Sequence, residues 1–339
     1  MLLLGQRPLS ASDADSQLFA DRSAELKRVC RALDLGLNVY VWGSRGSGRT
    51  SFLRQIQRRR PESRYARLEG FENLQDQLDE AERALVGTSV LERHRSIRLS
   101  EMIGWPQIAE LRAKADPLRH IRAAATADEQ DGVHVLLLDD LADSAIHEIF
   151  GRLRDDMWDL PIRWVVAGTT PHLDPPADSF FDVSVELPLL GRDGLGELLT
   201  RRAASGTPQE ERLLLAEATS ALDSLAPCTP RRALAVLRDL YLSDDAAEIA
   251  SELSRVQSTR AALSPTANMV LEALLAHGPA HAGDERLLAE VGVTRSRVVQ
   301  VLAELEAEGL VMAERVGRRK IFAPWGTQMQ FSDLASEGS

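Results

Sequence analysis

The sequence predicts an α/β fold: a parallel β-sheet carrying a phosphate-binding loop, continued by a helical unit and closed by a small module of three helices and a hairpin. Three observations carry this. The octapeptide GSRGSGRT, residues 43–50, follows a β-rich run and precedes a helical one. Short strand-like runs alternate with helical segments, the rhythm of a parallel sheet covered on both faces. From Ser264 onward the order changes to helix, helix, longer helix and hairpin.

Taken in order, residues 1–17 are polar and irregular and are expected to form a flexible N-terminal segment. NVYVW (38–42) is the first strand, SFLRQIQRRR (51–60) has helical spacing, and RYARLE (64–69) is the second strand. Residues 72–131 read as mostly helical and charged, broken by Gly104, Pro106 and Pro117, with MIGWP as the one apolar interruption. HVLLLDD (134–140), IRWVVAGTT (162–170) and FDVSVELP (181–188) complete five strands. In an open parallel sheet the ligand crevice lies outside the carboxyl ends of the strands. The glycine loop, the paired acids at 139–140 and the Thr169–Thr170 end all fall there. Residues 190–262 are helical by apolar spacing, 263–325 form the terminal module, and 326–339 are expected to be a flexible tail.

Composition sets limits. At 339 residues the chain is long enough for about two cores, and 44% hydrophobic with 27% charged residues is ordinary for a globular protein. A net charge of −11 argues against coating nucleic acid by bulk electrostatics, but not against a local basic surface. Cys30 and Cys228 have no C-x-x-C spacing, which argues against a zinc ribbon or a disulfide framework and fits a reducing cytoplasm. MLLLGQRPLS lacks the features of a signal peptide, and no later run reaches membrane-spanning length. His277 and His281 flank a Gly-Pro break, so a loop is expected there rather than a metal site. Only three of the 40 basic residues are lysines, which supplies a compositional reason for an arginine wherever a lysine is expected.

One such position lies in the loop. GSRGSGRT matches G-x-x-x-x-G-K-[ST] except that Arg49 stands for the lysine. Gly43, Gly46 and Gly48 would let backbone N–H groups approach phosphate oxygens at a helix N-terminus. Thr50, followed by Ser51, would place a hydroxyl on Mg²⁺, and Asp139 at the end of an apolar strand would hold the metal through water. Arg49 keeps the charge and can bond phosphate bidentately, but its planar fork is bulkier than an ammonium. Binding is therefore expected to survive more readily than hydrolysis. Asp140 occupies the position from which a carboxylate orients attacking water.

FADRSAEL (19–26) is similar to the F-x-G-R-x-x-E-L box of AAA+ and STAND-type ATPases. CTPRRALAVLR (228–238) resembles the G-[DN]-x-R-R-x-L sensor-2 helix of the origin-recognition (initiator) clade, and ELPLLGRDGLGELLTRRA (186–203) the start of its lid. The resemblance covers roughly residues 18–323. It implies an AAA+ core over 18–189, a helical lid over 190–262 and a winged-helix domain, with ATP and Mg²⁺ bound between sheet and lid. By position Arg231 corresponds to sensor 2, Arg22 to the arginine of the N-terminal box, and Thr169 to sensor 1. Several positions depart from the initiator pattern: Arg49 for lysine, Asp140 for glutamate (usual in STAND proteins), and threonine for asparagine at sensor 1. HLDPPADSFFDVSVEL (172–187) contains no arginine where a trans-acting finger is expected; Arg152, Arg154 and Arg163 read as surface or cap charges.

The terminal module has the winged-helix order. If it meets DNA, its third helix enters the major groove and the wing follows the backbone. Arg295 and Arg297 open that helix, and Arg315, Arg318, Arg319 and Lys320 lie on the wing around Gly317. Residues 264–323 carry seven basic and eight acidic side chains, so only the segregation of charge favours DNA. Two readings stay open. One is an ATP-binding, DNA-associated switch with weak or conditional hydrolysis, in a variant form a transcription regulator in which ATP only sets the state of a homo-oligomer; the other is a non-catalytic scaffold whose winged helix docks a protein partner.

Overall fold

The computed structural model describes residues 3–68, 74–85, 117–126, 134–209, 226–242, 262–316 and 319–324. Five parallel strands, β1 (Val39–Trp42), β2 (Arg64–Arg67), β3 (His134–Asp139), β4 (Ile162–Gly168) and β5 (Val183–Glu186), form one sheet in the order β2-β3-β4-β1-β5. All five predicted strands are present. The interior strands β1, β3 and β4 are near-continuous apolar runs because both of their faces are covered. The edge strands β2 and β5 each bury one residue, Ala66 and Val185, and expose Arg64, Arg67 and Glu186.

Strand parity divides the core in two. Tyr40, Leu136, Leu138, Trp164 and Val166 pack on one face with Ile146, Phe150 and Phe180. Val39, Val41, Leu137, Val165 and Ala167 pack on the other, against Leu26, Val29 and Leu33 of the Ser23–Asp34 helix and Phe52, Leu53 and Ile56 of the Arg49–Arg59 helix. The second face thus fixes the helix that opens at Arg49.

The chain divides into two compact units, one of residues 8–43 and 49–187 and one of 1–7, 44–48 and 188–339. In the second, the helices Arg192–Ala203 and Pro230–Leu242 are preceded by segments joined through a Leu190–Cys228 bridge, with N–H···O distances of 2.8 and 3.1 Å. Helices Pro265–His277, Glu285–Val291 and Arg295–Ala307 precede an antiparallel hairpin of β7 (Val311–Val316) and β8 (Arg319–Pro324). They share a core of Val270, Leu274, Leu287, Val298, Leu302 and Phe322. Gly317 and Arg318, MIGWP, most of 86–133 and the 326–339 tail lie outside the described residues.

Two expectations are corrected. The N-terminal segment is not irregular throughout: Asp13–Gln17 is a helix capped by Ser12, and Leu4 and Leu9 are buried. Specific bonds tie it down, with Leu9 N donating to Ser51 Oγ at 2.9 Å, Gln55 Nε2 to Ser10 O at 3.2 Å, and Arg202 Nη1 to Leu3 O at 2.7 Å. The break around His281 contains a third strand, β6 (Ala280–His281), paired with β8; two residues are too few for a strand pattern to register in sequence.

Candidate nucleotide site

The loop from β1 into the Arg49–Arg59 helix has the backbone its glycines suggest. Gly46 and Gly48 have φ of 88° and 96°, a region that side chains with a Cβ rarely enter. Ser47 N donates to Ser44 O at 3.0 Å, closing the turn, while the Ser47 hydroxyl is buried and finds no hydrogen-bond partner among the described residues. An orphaned donor inside a loop of positive-φ glycines suits an anionic ligand. Arg231 meets this loop: its N–H donates to Gly46 O at 3.3 Å, and a Cβ on Gly46 would lie 3.0 Å from Arg231 Cβ.

The side chain of Arg49 differs from the expected phosphate-reaching arm. Its Nη1 donates to Gly43 O at 2.9 Å and to Gly168 O at 2.7 Å, so the fork is held at the carboxyl ends of β1 and β4. Burial lowers the guanidinium's pKa from its ordinary value, opposed in turn by Asp139, Asp140, Tyr40 and Asp143. It remains a cation at neutral pH.

Asp139 ends β3 and is fully buried. Tyr65 Oη donates to its Oδ2 at 2.7 Å, Asp140 N to its Oδ1 at 3.1 Å, and the Thr50 hydroxyl also bonds the carboxylate. Burial foremost, then Asp140, pushes its pKa up against these hydrogen bonds and Arg49. Tyr65 is itself covered by the Arg54 guanidinium, 3.5 Å from its ring centroid. Thr50 and Asp139 therefore come together as the sequence suggests, but the pair does not fit Mg²⁺. Mg²⁺ retains several waters and needs open, near-octahedral oxygens, whereas this carboxylate is sealed from solvent and already has three donors.

Asp140 adopts a left-handed φ of 57°, which aspartate tolerates, and its Oδ2 accepts from Arg67 Nε at 2.9 Å. The expected water-orienting carboxylate is thus engaged by the last residue of β2. At the end of β4 the polar contacts are made by Thr170 rather than by the expected Thr169. Thr170 Oγ1 donates to Asp143 Oδ2 at 2.6 Å, and its carbonyl accepts from Tyr40 Oη at 2.9 Å. The other Asp143 oxygen, Oδ1, is buried and has no hydrogen-bond partner among the described residues. Ser51, expected beside the phosphates, gives its hydroxyl oxygen to Leu9 N. Arg22 is buried at the start of the Ser23–Asp34 helix, 3.7 Å from Glu25, with Asp21 and Glu186 also acting on it. Of the three arginines expected as surface or cap charges, Arg152 pairs with Glu148 and Arg154 with Asp155 and Ser179, while Arg163 Nη1 donates to Ile162 O.

Tyr40, Tyr65, Arg67 and Asp143 were not singled out in the sequence. Arg67 and Tyr65 had a signal, since RYAR is a strand ending in a charge, but its register against Leu137 and Asp139 exists only in the sheet.

In the terminal module, Arg295, Arg315, Arg319 and Lys320 are exposed and Arg297 is half-buried. Arg297 Nη1 lies 3.3 Å from Gln300 Oε1 and 3.8 Å from Glu304, and Lys320 Nζ lies 2.6 Å from Glu306 and 5.0 Å from the Phe322 ring centroid. Arg315 is register-paired with Lys320 across the hairpin. Among the described residues no helix is long and apolar enough to cross a membrane, and no group of three or more His, Cys, Asp or Glu could hold a metal ion.

No protein-family model matches the chain, and no curated protein matches it. Among solved structures the chain is similar to the Thermotoga maritima RuvB Holliday junction branch migration motor, with 16% identity, 97% of this chain and 98% of that chain covered, and a TM-score of 0.41. It is also similar to a chain of Drosophila ORC bound to DNA, with 14% identity, 96% and 97% covered, and a TM-score of 0.44. Likenesses this distant assign the chain to neither family, and its function must be read from the site itself.

Proposed function

We propose that the protein is an ATP-binding switch of the AAA+ kind that contacts DNA through a C-terminal winged helix and hydrolyses ATP weakly or conditionally. The observation carrying the nucleotide reading is the loop itself. Its positive-φ glycines and the orphaned Ser47 hydroxyl lead directly into Arg49 and Thr50 at the carboxyl end of a parallel sheet. The Arg231–Gly46 contact supports a link between loop conformation and the Pro230–Leu242 helix. Slow turnover follows from two engagements. Arg49 is bound to backbone carbonyls, and Asp140 is paired with Arg67 rather than free to orient water. Titration of ATP into the wild-type chain and an Arg49→Lys variant is the test; no binding by either would sink the reading.

The DNA reading rests on the exposed Arg295, Arg315, Arg319 and Lys320 around the third helix and hairpin. A second reading, a non-catalytic scaffold docking a protein, is favoured by a different observation in the same module. Met269, Val299 and Met312 are 47%, 48% and 51% exposed, more apolar surface than a purely electrostatic DNA face requires. Turnover with and without DNA separates the two, since DNA-stimulated hydrolysis excludes the scaffold.

A further inference from the structure

We propose that Arg49 takes the place of the divalent metal ion at this site, so that the protein binds a nucleoside triphosphate independently of Mg²⁺. This rests on the nucleotide reading above and specifies how the charge at that site is balanced.

A triphosphate brings several negative charges to a place already holding acids, and some cation must offset both. In this protein a cation is built into the strand ends. Arg49 Nη1 bridges Gly43 O and Gly168 O, backbone atoms beside adjacent parallel strands, so its position is set by the sheet. Asp139, Asp140 and Asp143 all act on it electrostatically. Asp143 Oδ1 is buried without a hydrogen-bond partner among the described residues, and a nearby permanent cation offsets such a charge. The guanidinium keeps further N–H donors beyond Nη1, in a planar arrangement that matches phosphate oxygens.

The carboxylate through which a metal would be held is buried and already hydrogen-bonded. Asp139 has no solvent exposure, Tyr65 occupies Oδ2, Asp140 N–H occupies Oδ1, and Thr50 bonds the same group. Tyr65 is in turn held by the stacked Arg54. A hydrated metal needs acceptors that its waters can reach, and these are satisfied internally. Tyr65 and Arg54 thus close the metal position, and Arg49 supplies the charge that the metal would bring.

The test is ATP binding to the full chain, by calorimetry, in EDTA and in excess MgCl₂, for wild type and for Arg49→Gln. The expected result is a wild-type Kd that agrees within about threefold between the two buffers, and an Arg49→Gln Kd that tightens about tenfold or more with Mg²⁺. Metal dependence appears in the variant because a neutral side chain leaves the acids and the triphosphate without their built-in cation. The wild-type comparison stands even if the variant fails to fold. Wild-type binding that tightens about tenfold or more with Mg²⁺ overturns the inference and leaves the nucleotide reading intact. A folded variant as indifferent to metal as wild type overturns it likewise. No binding in either buffer overturns both.

Discussion

Arg49 shows how one substitution in a familiar pattern changes what the surrounding residues must do. Its guanidinium needs acceptors, and the Gly43 and Gly168 carbonyls at the strand ends provide them. A Cβ on Gly168 would lie 2.9 Å from two ring carbons of Tyr40 and closer still to its hydroxyl. Gly168→Ala should therefore destabilise the protein by about 1–3 kcal/mol, read as a lowered denaturation midpoint at unchanged slope. Tyr65→Phe leaves the buried Asp139 without one donor and should cost about 1–3 kcal/mol by the same measurement. Asp139 also makes stability depend on pH. Its folded-state pKa is raised, so the native state holds the proton more tightly than the unfolded chain does. Stability then falls as pH rises from the ordinary aspartate value through the raised one, and this loss is complete above it. Asp139→Asn should flatten that part of the melting temperature against pH profile. A variant with the wild-type slope would show that Asp139 is not its source.

At the scale of elements, local capping and long-range packing act together. Thr294 caps the Arg295–Ala307 helix by accepting from Arg297 N, and Asp284 caps Glu285–Val291 by accepting from Arg286 and Leu287 N–H. Between them Gly292 ends the second helix at φ 67°. Thr294→Ala should cost about 0.5–2 kcal/mol and Gly292→Ala about 1 kcal/mol, both visible in the melting of the terminal module. The order of these helices was legible in the sequence, whereas their individual caps were not singled out there. The interior strands were legible too, since HVLLLD and IRWVVAG have no polar alternation to misread. The two-residue β6 and the Asp13–Gln17 helix were not, because elements this short carry too few residues for periodicity. Their existence depends on partners: β8 for the first, and the Arg49–Arg59 helix for the segment around the second.

At the scale of the whole molecule, the proposed DNA contact has a signature that needs no structure of a complex. Net charge is −11, so association must come from a local surface and should be strongly salt-dependent. Arg319→Ala, on the hairpin, should weaken binding across sequences and reduce the slope of log Kd against log salt by about 1. Arg295→Ala, at the start of the third helix, should relax discrimination between sequences instead. Uniform, salt-insensitive binding in both variants would favour the protein-docking reading. Met269, Val299 and Met312 are exposed apolar side chains of this module that such a partner could bury.

The sequence by itself determined the five strands, the glycine loop, the acids at the end of β3 and the order of the terminal helices. Each of these is written in short-range periodicity or in residues whose backbone needs are local. Only the tertiary structure decided what the loop's side chains touch. Arg49 meets Gly168 across 119 positions, Tyr65 meets Asp139 across 74, and Arg67 meets Asp140 across 73. Those contacts follow from the β2-β3-β4-β1-β5 strand order and from burial, which no spacing within one segment encodes. The sequence could identify a phosphate loop with an arginine in it; the parallel sheet turned that arginine inward, onto the ends of its own strands.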